Sequence, residues 1–172
     1  AFKAERKCDA AISTLKKIVE QKPDYAEAWY EMGWCYNETQ QYKEGFNALQ
    51  KANELKAGQY LTVYELGFSL LHLTRIDEAL SFYNQALQLN PSFSQAYAAK
   101  ADLYKDYKEN TTEALVNYLK ALQFDSSFKK VYYWVGWCYN DLEKYQLAVP
   151  YLQKAITFET QNYLSYTELG FS

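Results

Sequence analysis

The chain is poor in residues that do chemistry. Its 172 residues include one histidine, His72, and three cysteines, Cys8, Cys35 and Cys138. None of these belongs to a CxxC pair or to a cluster at metal-ligand spacing, so neither a zinc site nor a disulfide framework is implied. There is no glycine-rich phosphate loop, no HExxH and no GxSxG. The cysteines lack the basic neighbours that would favour a thiolate. Carboxylates are scattered through polar stretches such as NETQQYKEG rather than paired. We therefore expect no catalytic residue, no metal site and no cofactor, and place His72 on a surface or in a groove. Any catalysis would belong to a partner or to another domain.

Other absences narrow the class. The net charge of −3 argues against a nucleic-acid binder held by phosphate contacts. No apolar run approaches the length needed to span a bilayer. The first residues, AFKAERKCDAA, lack the apolar stretch of a signal peptide, and no compartment is indicated. They also lack an initiator methionine, from which we expect that a preceding leader or tag was removed. Only three prolines and six glycines punctuate the chain, too few for a turn-rich β fold.

Rings, by contrast, are abundant: Phe, Trp and Tyr make up 18% of the chain. Some stand in repeated phrases. GWCYN occurs at Gly33–Asn37 and again at Gly136–Asn140, and ELGFS at Glu65–Ser69 and again at Glu168–Ser172. Both pairs are offset by 103 residues, which points to internal periodicity. Small residues give the period. Gly33, Gly67, Ala101, Gly136 and Gly170 lie 34, 34, 35 and 34 apart. Further columns hold Gly45, Ala79, Ala114 and Ala148, then Ala52, Ala86, Ala121 and Ala155. The offset of 103 is thus three units, and the extra residue falls in the polar stretch KDYKENTTEA, where insertion costs little.

Inside each unit the spacing is helical. Trp29, Met32, Gly33 and Tyr36 share one helix face, and after a polar break Gly45, Leu49 and Ala52 share another. Each unit is therefore a helix hairpin. Small residues at the crossing let the backbones approach, and stacked hairpins bury what one alone cannot.

These residues carry a resemblance. Trp29-x2-Met32-Gly33-x2-Tyr36 followed by Gly45, Leu49 and Ala52 resembles the tetratricopeptide repeat, and the three later units are similar. The closing proline of the family survives at Pro23 and Pro91 but is Ala57, Ser126 and Thr160 elsewhere. Lys100 stands where other units have apolar residues, and Pro150 falls in a second helix, tolerable only near its first turn. The resemblance implies an all-α, right-handed superhelical solenoid of stacked antiparallel hairpins. We divide residues 1–172, read as a single array, into a partial repeat at 1–25, repeats at 26–59, 60–93, 94–128 and 129–162, and a partial repeat at 163–172. Neither end carries a polar cap, so we read the chain as a segment of a longer array. Head-to-tail association through the open ends is the alternative.

The resemblance also implies that first helices line a concave groove. Helical geometry then directs Tyr30, Trp34, Asn37, Tyr64, Phe68, Tyr133, Trp137 and Asn140 into it. In GWCYN, the Trp and Asn are the residues that packing does not demand. Aromatic anchors with amide partners suit a protein or peptide ligand. The third unit interrupts the rings with Ala98, Asp102, Lys105 and Asp106. Some tetratricopeptide domains clamp a C-terminal carboxylate with Lys and Asn, but Tyr30 and Trp34 occupy those positions here. The groove acids, Glu27, Glu38, Asp102, Asp106 and Asp141, favour basic or neutral ligands over acidic tails. We therefore expect a protein- or peptide-binding scaffold, not an enzyme, with self-assembly as the first alternative and glycan binding through stacked rings as the second.

Overall fold

A computed structural model describes residues 2–158 and 167–170, with side chains from residue 7 onward. The remaining residues, including Leu164, Phe171 and most of the last partial repeat, lie outside that description. The described residues are helical, with no strand among them. A first helix, α1 (Phe2–Gln21), is followed by four hairpins: α2 (Ala26–Glu38) with α3 (Tyr42–Leu55), α4 (Tyr60–His72) with α5 (Ile76–Leu89), α6 (Ser94–Tyr107) with α7 (Thr111–Phe124), and α8 (Lys129–Asp141) with α9 (Tyr145–Phe158). Two compact units result, Ala1–Pro91 and Ser92–Ser172. The fold class is the all-α solenoid of antiparallel helix hairpins.

The small columns sit where the helices cross. A Cβ on Gly33 would stand 2.5 Å from Leu49 Cγ, and one on Gly136 would stand 2.5 Å from Leu152. At Gly67 the obstacle is the ring of Tyr83, 2.8 Å away. Leu49, Tyr83, Tyr118 and Leu152 are the large residues opposite, all but sealed from solvent. Gly45 and the alanines Ala79, Ala114 and Ala148 of the second helices complete the close approach. Each hairpin thus packs knob against gap, and large-to-small or small-to-large changes there are costly.

The turns inside the hairpins share one geometry. Gln40, Thr74, Glu109 and Glu143 have φ of 61°, 59°, 48° and 57°, the left-handed region that ends a helix. The N–H groups of Gln41, Arg75 and Lys144 each reach back five residues, to the carbonyls of Tyr36, Leu70 and Tyr139. In the third hairpin Asn110 reaches back six, to Tyr104. That is where the one-residue insertion is absorbed. Asn110 then caps α7, its Oδ1 accepting from the Glu113 N–H at 3.1 Å.

Two oddities of the sequence find places. Pro150 is the sixth residue of α9, past the first turn, and the helix runs through it. Lys100 is half-buried, its Nζ 5.9 Å from the centre of the Tyr104 ring, and burial lowers its pKa.

Candidate functional site

In the first unit, α2 and α4 lie side by side and present Tyr30, Trp34, Tyr64 and Phe68, all half-buried. Each ring is engaged on one side. Trp34 rests on the core formed by Cys8, Ile12, Met32 and Cys35 between α1 and α2. Tyr64 lies 5.6 Å from the Tyr83 ring. Phe68 meets His72 edge-on at 4.5 Å, and His72 stacks on Tyr42 of α3 at 4.3 Å. Burial lowers the His72 pKa, keeping the imidazole neutral in that stack. Tyr30 lines a cleft of about 110 Å³ with Ala26, Ala52, Leu61 and Thr62, and with Glu27 and Lys56, which form an ion pair at 2.7 Å. Desolvation, with nearby Glu65 and Glu31, pushes the Tyr30 phenol up to about 12. Leu61 stands 41% exposed beside it.

In the second unit Tyr133, Trp134 and Trp137 of α8 form an edge-to-face series with centroids 4.8 and 6.2 Å apart. Lys105 of α6 lies 4.1 Å over the Trp134 ring and also pairs with Asp106. Asp102 accepts from the Tyr118 hydroxyl, and burial raises both their pKa values. The third unit's polar residues are therefore tied into the structure, and Ala98 is buried in the core.

Two expectations need correction. The tryptophans of GWCYN are partly packing residues: Trp137 lies against the core of the second unit, as Trp34 does in the first. Its asparagines are structural. Asn37 is 3% exposed. Its Nδ2 donates to the Glu65 carbonyl at 3.2 Å and to Glu65 Oε2 at 2.9 Å, while its Oδ1 accepts from Ser69 Oγ at 2.7 Å. Gly45 makes room, since a Cβ there would stand 2.5 Å from Asn37 Oδ1. Asn140 repeats the pattern on Glu168, donating to its carbonyl at 2.8 Å and to Oε2 at 3.1 Å. GWCYN and ELGFS are thus the two halves of one contact between successive repeats, which is why they recur at one offset. A helical wheel alone turned Asn37 outward, because the neighbouring first helix that covers it is absent from the wheel.

Burial dominates at Glu65. Its carboxyl is pushed up to about 7, with Glu38 adding to the rise and the Asn37 hydrogen bond opposing it. The thiols of Cys35 and Cys138 are likewise pushed up to about 12 by burial, so neither is an activated nucleophile. Among the described residues no group of His, Cys, Asp and Glu could hold a metal ion, and no helix is long and apolar enough to cross a membrane.

With this geometry in place, comparison defines the class. Three tetratricopeptide-repeat profiles match the chain, over residues 3–65, 61–93 and 129–162. The chain belongs to the tetratricopeptide-repeat family. Among solved structures it is similar to MamA, with 23% identity, 90% of each chain covered and a TM-score of 0.79. It is also similar to YrrB, described as a TPR protein with an unusual peptide-binding site, with 23% identity over 94% of this chain and 83% of that one and a TM-score of 0.73. Among sequences it is similar to anaphase-promoting complex subunit 3 of Schizosaccharomyces pombe, 23% identical over 111 residues. That match covers 63% of this chain and 17% of that protein, so the chain spans about a sixth of its relative's length.

Proposed function

We propose that this chain, a protein-interaction module built of tetratricopeptide repeats, binds a protein or peptide through the rings on its first helices. The observation that carries the reading is the cleft in the first unit: an apolar recess of about 110 Å³ beside half-buried Tyr30 and exposed Leu61. Recesses of this kind accept an anchor side chain of an extended partner. Exposed Glu31 and Glu38, with no Lys or Arg on α2 or α4, favour a neutral or basic segment. Tyr64, Phe68, Tyr133 and Trp137 supply further ring surface. Asn37 and Asn140 are assigned to packing instead. The reading gives the chain no catalytic step. The description of YrrB as peptide-binding supports the same use of the fold.

The test is titration calorimetry against a library of extended peptides carrying apolar anchors, with Tyr30→Ala and Leu61→Ser as paired variants. The reading expects at least one peptide to bind, and each variant to weaken it about tenfold without lowering the melting temperature much. Binding that survives both substitutions would move the site away from the cleft.

A further inference from the structure

Asn37 is the twelfth residue of α2, and Glu65 is the sixth of α4. These places are apolar in Leu71 of α4 and Ala99 of α6, but within the second unit they hold Lys105, twelfth in α6, and Trp134, sixth in α8. Those two also touch, as a cation over a ring at 4.1 Å. The third pair returns to the first chemistry, Asn140 with Glu168. The spacing agrees: 28 residues separate the partners in both amide–carboxylate pairs. Lys105 and Trp134 stand one residue further apart, matching the longer third repeat. Three junctions therefore place a complementary polar or cation–ring pair at one location, and the pairs are not interchangeable. An Asn37–Trp134 match would leave the amide without its carboxylate acceptor, and a Lys105–Glu168 match would exchange the cation–ring contact for an ion pair of different geometry.

We propose that the pair made by the twelfth residue of one first helix and the sixth of the next is a stacking code, which determines which repeat packs on which. The apolar columns cannot do this. Glycine or alanine against leucine or tyrosine recurs in every hairpin, so apolar packing fits many orders equally well. A buried hydrogen-bonded pair discriminates because a wrong neighbour leaves an amide or a carboxylate unsatisfied in a place water does not reach. At the first junction that penalty is sharpest. Asn37 spends both amide hydrogens and its oxygen inside the contact, and Ser69 completes it.

The groups facing Glu65 set its response to pH. From α2 these are Asn37, Glu38 and Tyr30, and no group of α3 or α5 is among those acting on its charge. The Lys105–Trp134 pair contains no carboxylate, and the acids beside Lys105 are Asp106, which is exposed, and Asp102, which Tyr118 holds, so its chemistry gives a different pH profile. A purely structural filler would not transfer that difference.

The experiment transplants one code into the other junction. Asn37→Lys, Glu65→Trp and the combined variant are compared with the wild-type chain by urea unfolding at pH 5.5 and pH 8. Each single change should lower the midpoint. The combined variant should recover most of the loss and lose the wild-type dependence on pH. The reverse transplant, Lys105→Asn with Trp134→Glu, should recover likewise and make stability fall between pH 5.5 and pH 8. Where a transplant does not fold, the milder cycle of Asn37→Ala and Glu65→Gln decides, with a coupling of about threefold or more in the unfolding constant expected. Additive losses in these cycles would overturn the proposal.

Discussion

The two compact units use one backbone recipe with two polar chemistries. In the first, the first helices carry four glutamates and neither lysine nor arginine, and they meet through a buried amide–carboxylate clasp. In the second, α6 and α8 carry Lys100, Lys105, Lys129 and Lys130 against Asp102, Asp106 and Asp141 and meet through a cation over an indole, and the amide–carboxylate clasp returns only after α8, between Asn140 and Glu168. The crossings differ too. Gly67 has no room for a Cβ opposite Tyr83, whereas Ala101 carries one in the same column, whose large residue in that hairpin is Tyr118. Apolar periodicity fixes the hairpin, while polar residues between hairpins individualise the junctions within each unit.

The largest effect should come from the tighter crossing. Gly67→Leu should destabilise by about 3 kcal/mol, the upper end for overpacking, read as a lower urea midpoint. A negligible loss would show that the α4–α5 crossing is no tighter than α6–α7. Next, Asn37→Ala should cost about 2 kcal/mol, because it strips partners from buried Ser69 and from Glu65. Asn140→Ala, at a less buried site, should cost about half as much. Equal losses would erase the distinction between the units. The smallest change concerns the turns. Thr74 is the one β-branched residue among the four left-handed positions, so Thr74→Asn should stabilise by roughly 0.5–1 kcal/mol. The same change at Glu109 should do less.

The repeats were legible because the signal is redundant. Gly33, Gly67, Ala101 and Gly136 mark one crossing four times, and the inserted residue could be placed within a short polar stretch. The site was less legible because it depends on what covers a helix. Asn37 lies over Gly45 of its own hairpin, and its polar partners are all supplied by α4. Trp134 was passed over, and Lys105 was read only as a groove residue, for a related reason. Neither fits the core stripe, and their meaning emerges only when the twelfth column of one unit is set beside the sixth of the next. The duplication of GWCYN with ELGFS held that information, since two phrases copied at one offset must be compatible with each other.

Glu65 offers the most direct test. Its carboxyl is pushed above the ordinary value of 4.5 to about 7, so the folded chain holds that proton more tightly than the unfolded chain. Its contribution to stability is greatest below the ordinary value and is lost as the pH rises towards 7, by on the order of 3 kcal/mol. Carbon-detected NMR titration of the Glu65 side-chain carboxyl in the intact chain reads this without relying on unfolding. A midpoint near 7 that rises further in Asn37→Ala, which removes the hydrogen bond that favours the charged carboxylate, would support the clasp. A midpoint near 4.5 in the wild-type chain would place the carboxyl in solvent and contradict the account.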